Sequence, residues 1–169
     1  NLPEGCLSLE ALLAESDPDF AIPPTPADMP ALLHYTSGTT GAPKGVVLPH
    51  RNVCAHARAA ITELRLDDRD VWSHIAPMFH LADAWATFAI TAAGGRHVFL
   101  PTFTPTAALD LLADAQVTIT NLVPTMLNLM VKEPTAAARA YGLRVMLSGG
   151  APIAPDGVRR ILDTFGCGY

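Results

Sequence analysis

The sequence predicts an α/β fold, a mostly parallel sheet flanked by helices, and three observations predict it. From Ala31 onward, strand-like segments alternate with helix-like ones. Several of these segments begin or end at proline or glycine. Charged residues make up only 16% of the chain and apolar ones 50%, against roughly 25% charged in ordinary soluble domains. Such a composition fits an unusually buried core, or a piece of a larger protein whose other parts cover it; the second reading is preferred.

Residues 1–30 read as an irregular lead-in or linker. Leu7–Leu13 can make a short helix before Asp17-Pro18 and Pro23-Pro24-Thr25-Pro26 break regular structure. Ala31–Tyr35 and Val46–Leu48 are predicted strands on either side of a glycine-rich loop. Asn52 is the predicted cap of a helix whose apolar positions Val53, Ala57, Ala60, Ile61 and Leu64 recur at helical spacing. Val71–Ala76 is a strand ending at Pro77, and Asp83 is the predicted cap of a nearly all-apolar helix stopped by Gly94-Gly95. Arg96–Leu100 is again a strand. Thr104-Pro105 opens a helix to about Ala115, with proline at its first position. Val117–Val123, rich in β-branched residues, reads as a buried strand, followed by a helix from Pro124 to about Val131. Leu143–Leu147 is the last strand. Val158, Ile161, Leu162 and Phe165 then form one stripe on a helix ending at Gly166. Ligands of parallel sheets bind at the carboxyl ends of strands, so the turns after Ala76, Val123 and Leu147 should open on one side.

The net charge of −5, with no Lys/Arg cluster, argues against a nucleic-acid or anionic-membrane surface. Cys6, Cys54 and Cys167 are far apart, odd in number and free of any Cys-x-x-Cys pair; they are expected to be reduced, buried thiols of a cytoplasmic protein. The six histidines are scattered, so no protein-held metal is expected. No secretory signal is present, and the longest apolar run, Ala84–Ala93, is too short to span a bilayer. Peripheral membrane association stays open.

The run Tyr35-Thr36-Ser37-Gly38-Thr39-Thr40-Gly41-Ala42-Pro43-Lys44-Gly45 holds four Ser and Thr hydroxyls, three glycines and one lysine. Glycines let backbone N–H groups turn toward an anion, hydroxyls add donors, and a compact ammonium adds charge. That is the chemistry of a polyphosphate cradle. The chain otherwise favours arginine, with nine against two lysines, and places one of the two here. It is not a P-loop, because Pro43 stands where the glycine before the lysine should be, and Gly45 replaces the hydroxyl after it.

This string resembles, at every position, the phosphate loop of the adenylate-forming superfamily: acyl-CoA synthetases, adenylation domains of peptide synthetases, and luciferases. The resemblance implies that Thr36, Ser37, Gly38, Thr39, Thr40, Gly41 and Lys44 bind ATP phosphates. Pro77-Met78-Phe79-His80 taken bare would be a packed histidine after a strand. Beside the loop it resembles the family's Phe-His motif near the reacting carboxylate, which makes Phe79 and His80 substrate-site candidates. His80 would be a neutral hydrogen-bond donor or gate, not a general base. Val123-Pro124-Thr125-Met126 is similar to a segment bordering the acyl pocket, making Thr125 and Met126 weaker candidates. Ser148-Gly149-Gly150-Ala151-Pro152 is similar to a segment that contacts adenine and the acyl group, which adds Gly149, Gly150, Ala151 and Pro152.

The resemblance covers residues 31–169, read as part of the large N-terminal domain of the acyl-CoA synthetase-like fold. The chain stops just before the position of the family's Tyr-Gly-x-Thr-Glu motif, and the small C-terminal domain is absent. The implied activity is ATP-dependent activation of a carboxylic acid, of medium or long aliphatic type, as an acyl-adenylate. Transfer to coenzyme A follows, with ATP, Mg2+ and CoA as cofactors and co-substrates. This chain alone is expected to be inactive and to self-associate through exposed edges. An adenylation domain loading a carrier protein, or a non-catalytic nucleotide-binding module, are the alternatives.

Overall fold

The computed structural model of the protein describes residues 3, 5–38 and 41–169 and has the predicted α/β architecture. In chain order the elements are α1 (Leu9–Glu15), β1 (Pro30–Thr36), β2 (Lys44–Pro49), α2 (His50–Leu64), β3 (Val71–His74), α3 (Leu81–Ala93), β4 (Arg96–Phe99), α4 (Pro105–Asp114), β5 (Ile119–Leu122), α5 (Pro124–Met130), β6 (Val145–Ser148) and α6 (Pro155–Phe165). Among them no helix is long and apolar enough to cross a membrane.

β3 to β6 form one parallel sheet in the order β4-β3-β5-β6. β1 and β2 stand apart as an antiparallel hairpin, pairing Leu33 with Val47 and Thr36 with Lys44. The loop joining them is too short for the crossover that parallel pairing requires.

The sheet is buried on both faces, and its side chains sort strictly by alternation. Val71, Ile75, Leu122 and Met146 face α4, α5 and α6, where Leu109, Leu112, Leu127, Met130, Ile161 and Phe165 close the larger core. Trp72 and Ile119 face the other way and meet Ala57 of α2 and Ala86, Ala89 and Ile90 of α3. The predicted stripe of α6 therefore lies inward at Ile161 and Phe165. Thr104 caps α4 as expected, accepting from the Ala107 N–H at 3.2 Å.

Both other predicted caps need correction. α2 starts two residues before Asn52, and backbone carbonyls of the lead-in satisfy its first turn. His50 N–H donates to Met29 O (3.0 Å) and Arg51 N–H to Ala27 O (2.9 Å), beside an Arg51–Asp28 ion pair. α3 starts at Leu81 with His80 at its N-cap, so Asp83 lies inside the first turn and points into the protein. The cysteines also differ from expectation: Cys6 and Cys54 are exposed, one on the lead-in and one on the outer side of α2, and Cys167 is half-buried.

The amino-terminal ends of the strands meet at Asp70, whose side chain is only 3% exposed. Arg144, just before β6, grips its carboxylate through Nε and Nη2, both at 2.8 Å. Thr118, just before β5, donates its hydroxyl to Oδ1 at 2.7 Å, and the Asp67 N–H donates to Oδ2 at 3.0 Å. The Asp70 carbonyl accepts from the Arg96 N–H at the start of β4, and a further Arg144 N–H reaches the Leu64 carbonyl at the end of α2. Burial alone would raise the Asp70 pKa. The hydrogen bonds from Arg144, Thr118 and Asp67 outweigh it and hold the carboxyl below the ordinary range.

Arg144→Ala, which strands this carboxylate, is expected to cost about 2–3 kcal/mol in urea unfolding. Because the folded pKa of Asp70 lies below its unfolded value, its contribution is present above about pH 4 and is lost as pH falls through the folded value. Unfolding curves should therefore show less stability loss below about pH 4 in Asp70→Asn than in the parent protein, from a lower starting point.

Candidate functional site

The glycine-rich loop is the turn of the β1–β2 hairpin. Gly38 adopts φ +64°, and a Cβ there would stand 2.7 Å from the Ala42 carbonyl oxygen, so no other residue fits. Gly41 also has positive φ, +89°. Thr36 and Lys44 face each other across the last rung, and both are exposed. The Lys44 side chain folds back along the turn, its Cε 3.8 Å from where a Gly38 Cβ would be. Thr39 and Thr40 lie outside the described residues. The loop thus presents Thr36, Ser37, its own backbone and Lys44 to solvent without any helix terminus nearby in sequence until His50.

A second feature lies at the carboxyl ends of β3, β4 and β5, a cleft of about 770 Å³. One wall is the His74–His80 segment, another Phe99–Pro101 with Phe103, and the third Val123 and Met126. The Phe79 and His80 rings lie 4.7 Å apart, and Phe79 is 75% exposed. The His80 backbone opens α3, its carbonyl accepting from the Asp83 and Ala84 N–H groups, which leaves the imidazole at the cleft.

The cleft therefore unites Phe79, His80 and Met126. Thr125 is exposed on the first turn of α5 and is not part of the lining. Gly149, Gly150, Ala151 and Pro152 form an exposed turn after β6, outside the cleft lining; a Cβ added at Gly150 would stand 3.7 Å from Val123 of the lining. Next to them the Ser148 hydroxyl is buried without a hydrogen-bond partner among the described residues. The phosphate-loop residues lie on the separate hairpin, outside the cleft lining.

Sequence reasoning missed a group beneath the cleft. Asp83, fully buried, accepts from Trp72 Nε1–H at 3.1 Å and meets His74 Nδ1 at 2.6 Å. His74 Nε2 in turn meets His97 Nδ1 at 2.9 Å. Burial, then the neighbouring His74, lower the His97 pKa, while Asp83 pulls it upward. The available signal was Asp83 itself, one acidic residue on the same stripe as Ala86, Ala89 and Ile90 of a helix otherwise apolar on that side.

A family model described as AMP-binding enzyme matches residues 3–169. 4-coumarate–CoA ligase 2 from Oryza sativa subsp. japonica is 34% identical over 182 residues, spanning 99% of this chain and 32% of the relative. Medium-chain fatty-acid–CoA ligase from Escherichia coli (strain K12) is 37% identical over 155 residues, spanning 87% of this chain and 26% of the relative. The crystal structure of ATP-bound MatB from Rhodopseudomonas palustris matches with a TM-score of 0.81 at 31% identity, covering 94% of this chain and 32% of that one. The chain spans about a third of the length of such relatives. With a family match that runs through the glycine-rich loop, the cleft and the turn after β6 alike, this chain belongs to the AMP-binding enzyme family.

Proposed function

We propose that residues 31–169 are part of the large N-terminal domain of an ATP-dependent acid–CoA ligase, with the hairpin loop gripping the nucleotide and the cleft taking the acid. The observation that supports this is the hairpin turn, where Gly38 and Gly41 take positive φ and the Lys44 side chain folds back toward Gly38. In the reaction, a substrate carboxylate oxygen attacks the α-phosphorus of ATP, the bond to pyrophosphate breaks, and an acyl-adenylate forms. The CoA thiolate then attacks the acyl carbonyl and AMP leaves. Thr36, Ser37, Thr39 and Thr40 hydroxyls and the Gly38 and Gly41 N–H groups would donate to the β- and γ-phosphates. Lys44 would neutralise charge building on pyrophosphate. His80 would hold the carboxylate in line as a neutral donor, and Gly149–Pro152 would offer a flat backbone surface to adenine.

Among the described residues no three His, Cys, Asp or Glu side chains converge on a point that could hold a metal.

The acid we infer is a singly charged one with an apolar tail, of medium or long aliphatic type. Among the described residues the cleft lining carries no lysine or arginine to meet a second acidic group, and its polar side chains are His74 and His80. A relative named for a medium-chain fatty acid fits an apolar tail, while relatives named for sulfoacetate and 2-succinylbenzoate act on acids with a second acidic group, so the lining carries this reading. The complete reaction is proposed for the full-length protein.

Lys44→Ala in that protein should lower kcat/KM for ATP about 100-fold, read by pyrophosphate release, with the fold unchanged by circular dichroism. Thr40→Ala should act in the same direction; unaltered ATP affinity and activity in both would refute the loop assignment. In a panel of acids with and without CoA, aliphatic monoacids should outpace diacids and sulfonates. Phe79→Ala should raise KM for the preferred acid about tenfold, the scale of one lost apolar contact surface. A preference for diacids would reject the apolar-acid reading.

A further inference from the structure

Under the cleft, five polar side chains form one unbroken line of hydrogen bonds. It runs from Trp72 to Asp83, His74 and His97, and ends where His97 Nε2 meets Thr91 Oγ1 at 3.0 Å. An ionised carboxylate only accepts, so His74 Nδ1 carries a hydrogen. With both rings neutral, Thr91 O–H donates to His97 Nε2 and His97 Nδ1–H donates to His74 Nε2, and every atom is satisfied. One added proton is also satisfied on either ring: on His97, Nδ1–H still donates to His74 Nε2 while Nε2–H donates to Thr91; on His74, Nε2–H donates to His97 Nδ1 and His97 Nε2–H to Thr91. A second proton sets two N–H groups against each other across 2.9 Å, and the contact must open.

The line brackets the segment that carries Phe79 and His80. His74 ends β3 where that segment begins, and Asp83 lies in the first turn of α3 where it ends. His74 also stacks on Phe99, which forms the facing wall, at 4.8 Å and 13°. Asp83 is the one charged side chain turned toward the two rings from α3, which otherwise offers Thr91. From β3 only His74 reaches His97. On β4 itself, the Arg96 guanidinium is turned away to the Ala115 carbonyl. The His97 pKa, lowered first by burial and then by His74, agrees with two rings that resist a second proton.

We propose that His74 and His97 are positioning residues for acid binding, a one-proton couple that holds the 75–80 segment and the Phe99 wall and releases them when both rings are protonated. This rests on the cleft being the acid site, but the hold on residues 75–80 is testable without any substrate.

In the full-length protein, histidine ¹⁵N spectra recorded against pH should show the two rings sharing a first protonation step, with a second step more than about one pH unit lower. Two independent steps at ordinary histidine values would overturn the couple. By hydrogen exchange, His97→Phe should speed the amides of residues 75–80 roughly tenfold, while His97→Gln, which keeps a donor for His74 Nε2, should restore protection. Unchanged exchange in His97→Phe would overturn the proposal whatever the substrate. Should His97→Phe fail to fold, Thr91→Val, which cuts the far end of the line, carries the same two readouts. With a turned-over acid, His97→Phe should raise its KM about fivefold with kcat within about twofold, and abolish the rise in KM on the acid side of the parent profile. If no acid supports pyrophosphate release, the ligase reading falls while the spectra and exchange rates still decide the couple.

Discussion

Out of water, the Asp70 carboxylate has to find all its hydrogen-bond partners within the protein, and they come from widely separated parts of the chain. Arg144 precedes β6, Thr118 precedes β5, and Asp67 belongs to the turn after α2. The Asp70 carbonyl accepts from the Arg96 N–H at the start of β4. Four strands that are distant in sequence therefore begin at one charge. Parallel strands cannot be set in register by hairpin turns, so a shared anchor at their amino ends fixes register in another way. Everything at the opposite ends of the strands inherits its position from that anchor, including the three walls of the cleft.

The glycine-rich loop is held differently. Among the described residues its hairpin pairs with no other strand and packs on α2, and a cavity of about 430 Å³ between it, α2 and α3 is lined by Leu32, Leu48, Val53, Trp85 and Phe88. α3 is the element common to both halves of the candidate site. Its outer side, at Leu81, Trp85 and Phe88, looks toward the hairpin, and its first turn holds the segment that carries His80. The inner side of α3 is fixed by Asp83 to Trp72 and His74.

Strand and helix alternation, the Thr104-Pro105 start and the Gly94 and Gly166 stops could be read from the sequence because each depends on near neighbours. The same is true of the phosphate loop, whose chemistry is written within eleven consecutive residues. What escaped depends on contacts across long intervals. Asp83 has the sequence signature of a cap, and only the burial of Trp72 and His74 opposite it shows why it turns inward. Asp70 and Arg144 are ordinary charges in the sequence and partners only in the fold. Thr125 and Met126 are adjacent in sequence, yet one faces solvent and the other the cleft, because a helix turns about 100° per residue.

The lead-in offers a different lesson. Its composition marks residues 1–30 as a linker, and a domain boundary drawn by composition falls at Ala31. Bonding draws it elsewhere, since the Ala27 and Met29 carbonyls close the open end of α2 and Asp28 pairs with Arg51 beside them. A cut at residue 30 would leave two amides of that helix facing water and loosen the support of the hairpin resting on it. The bonding that supports α2 thus reaches back at least as far as Ala27.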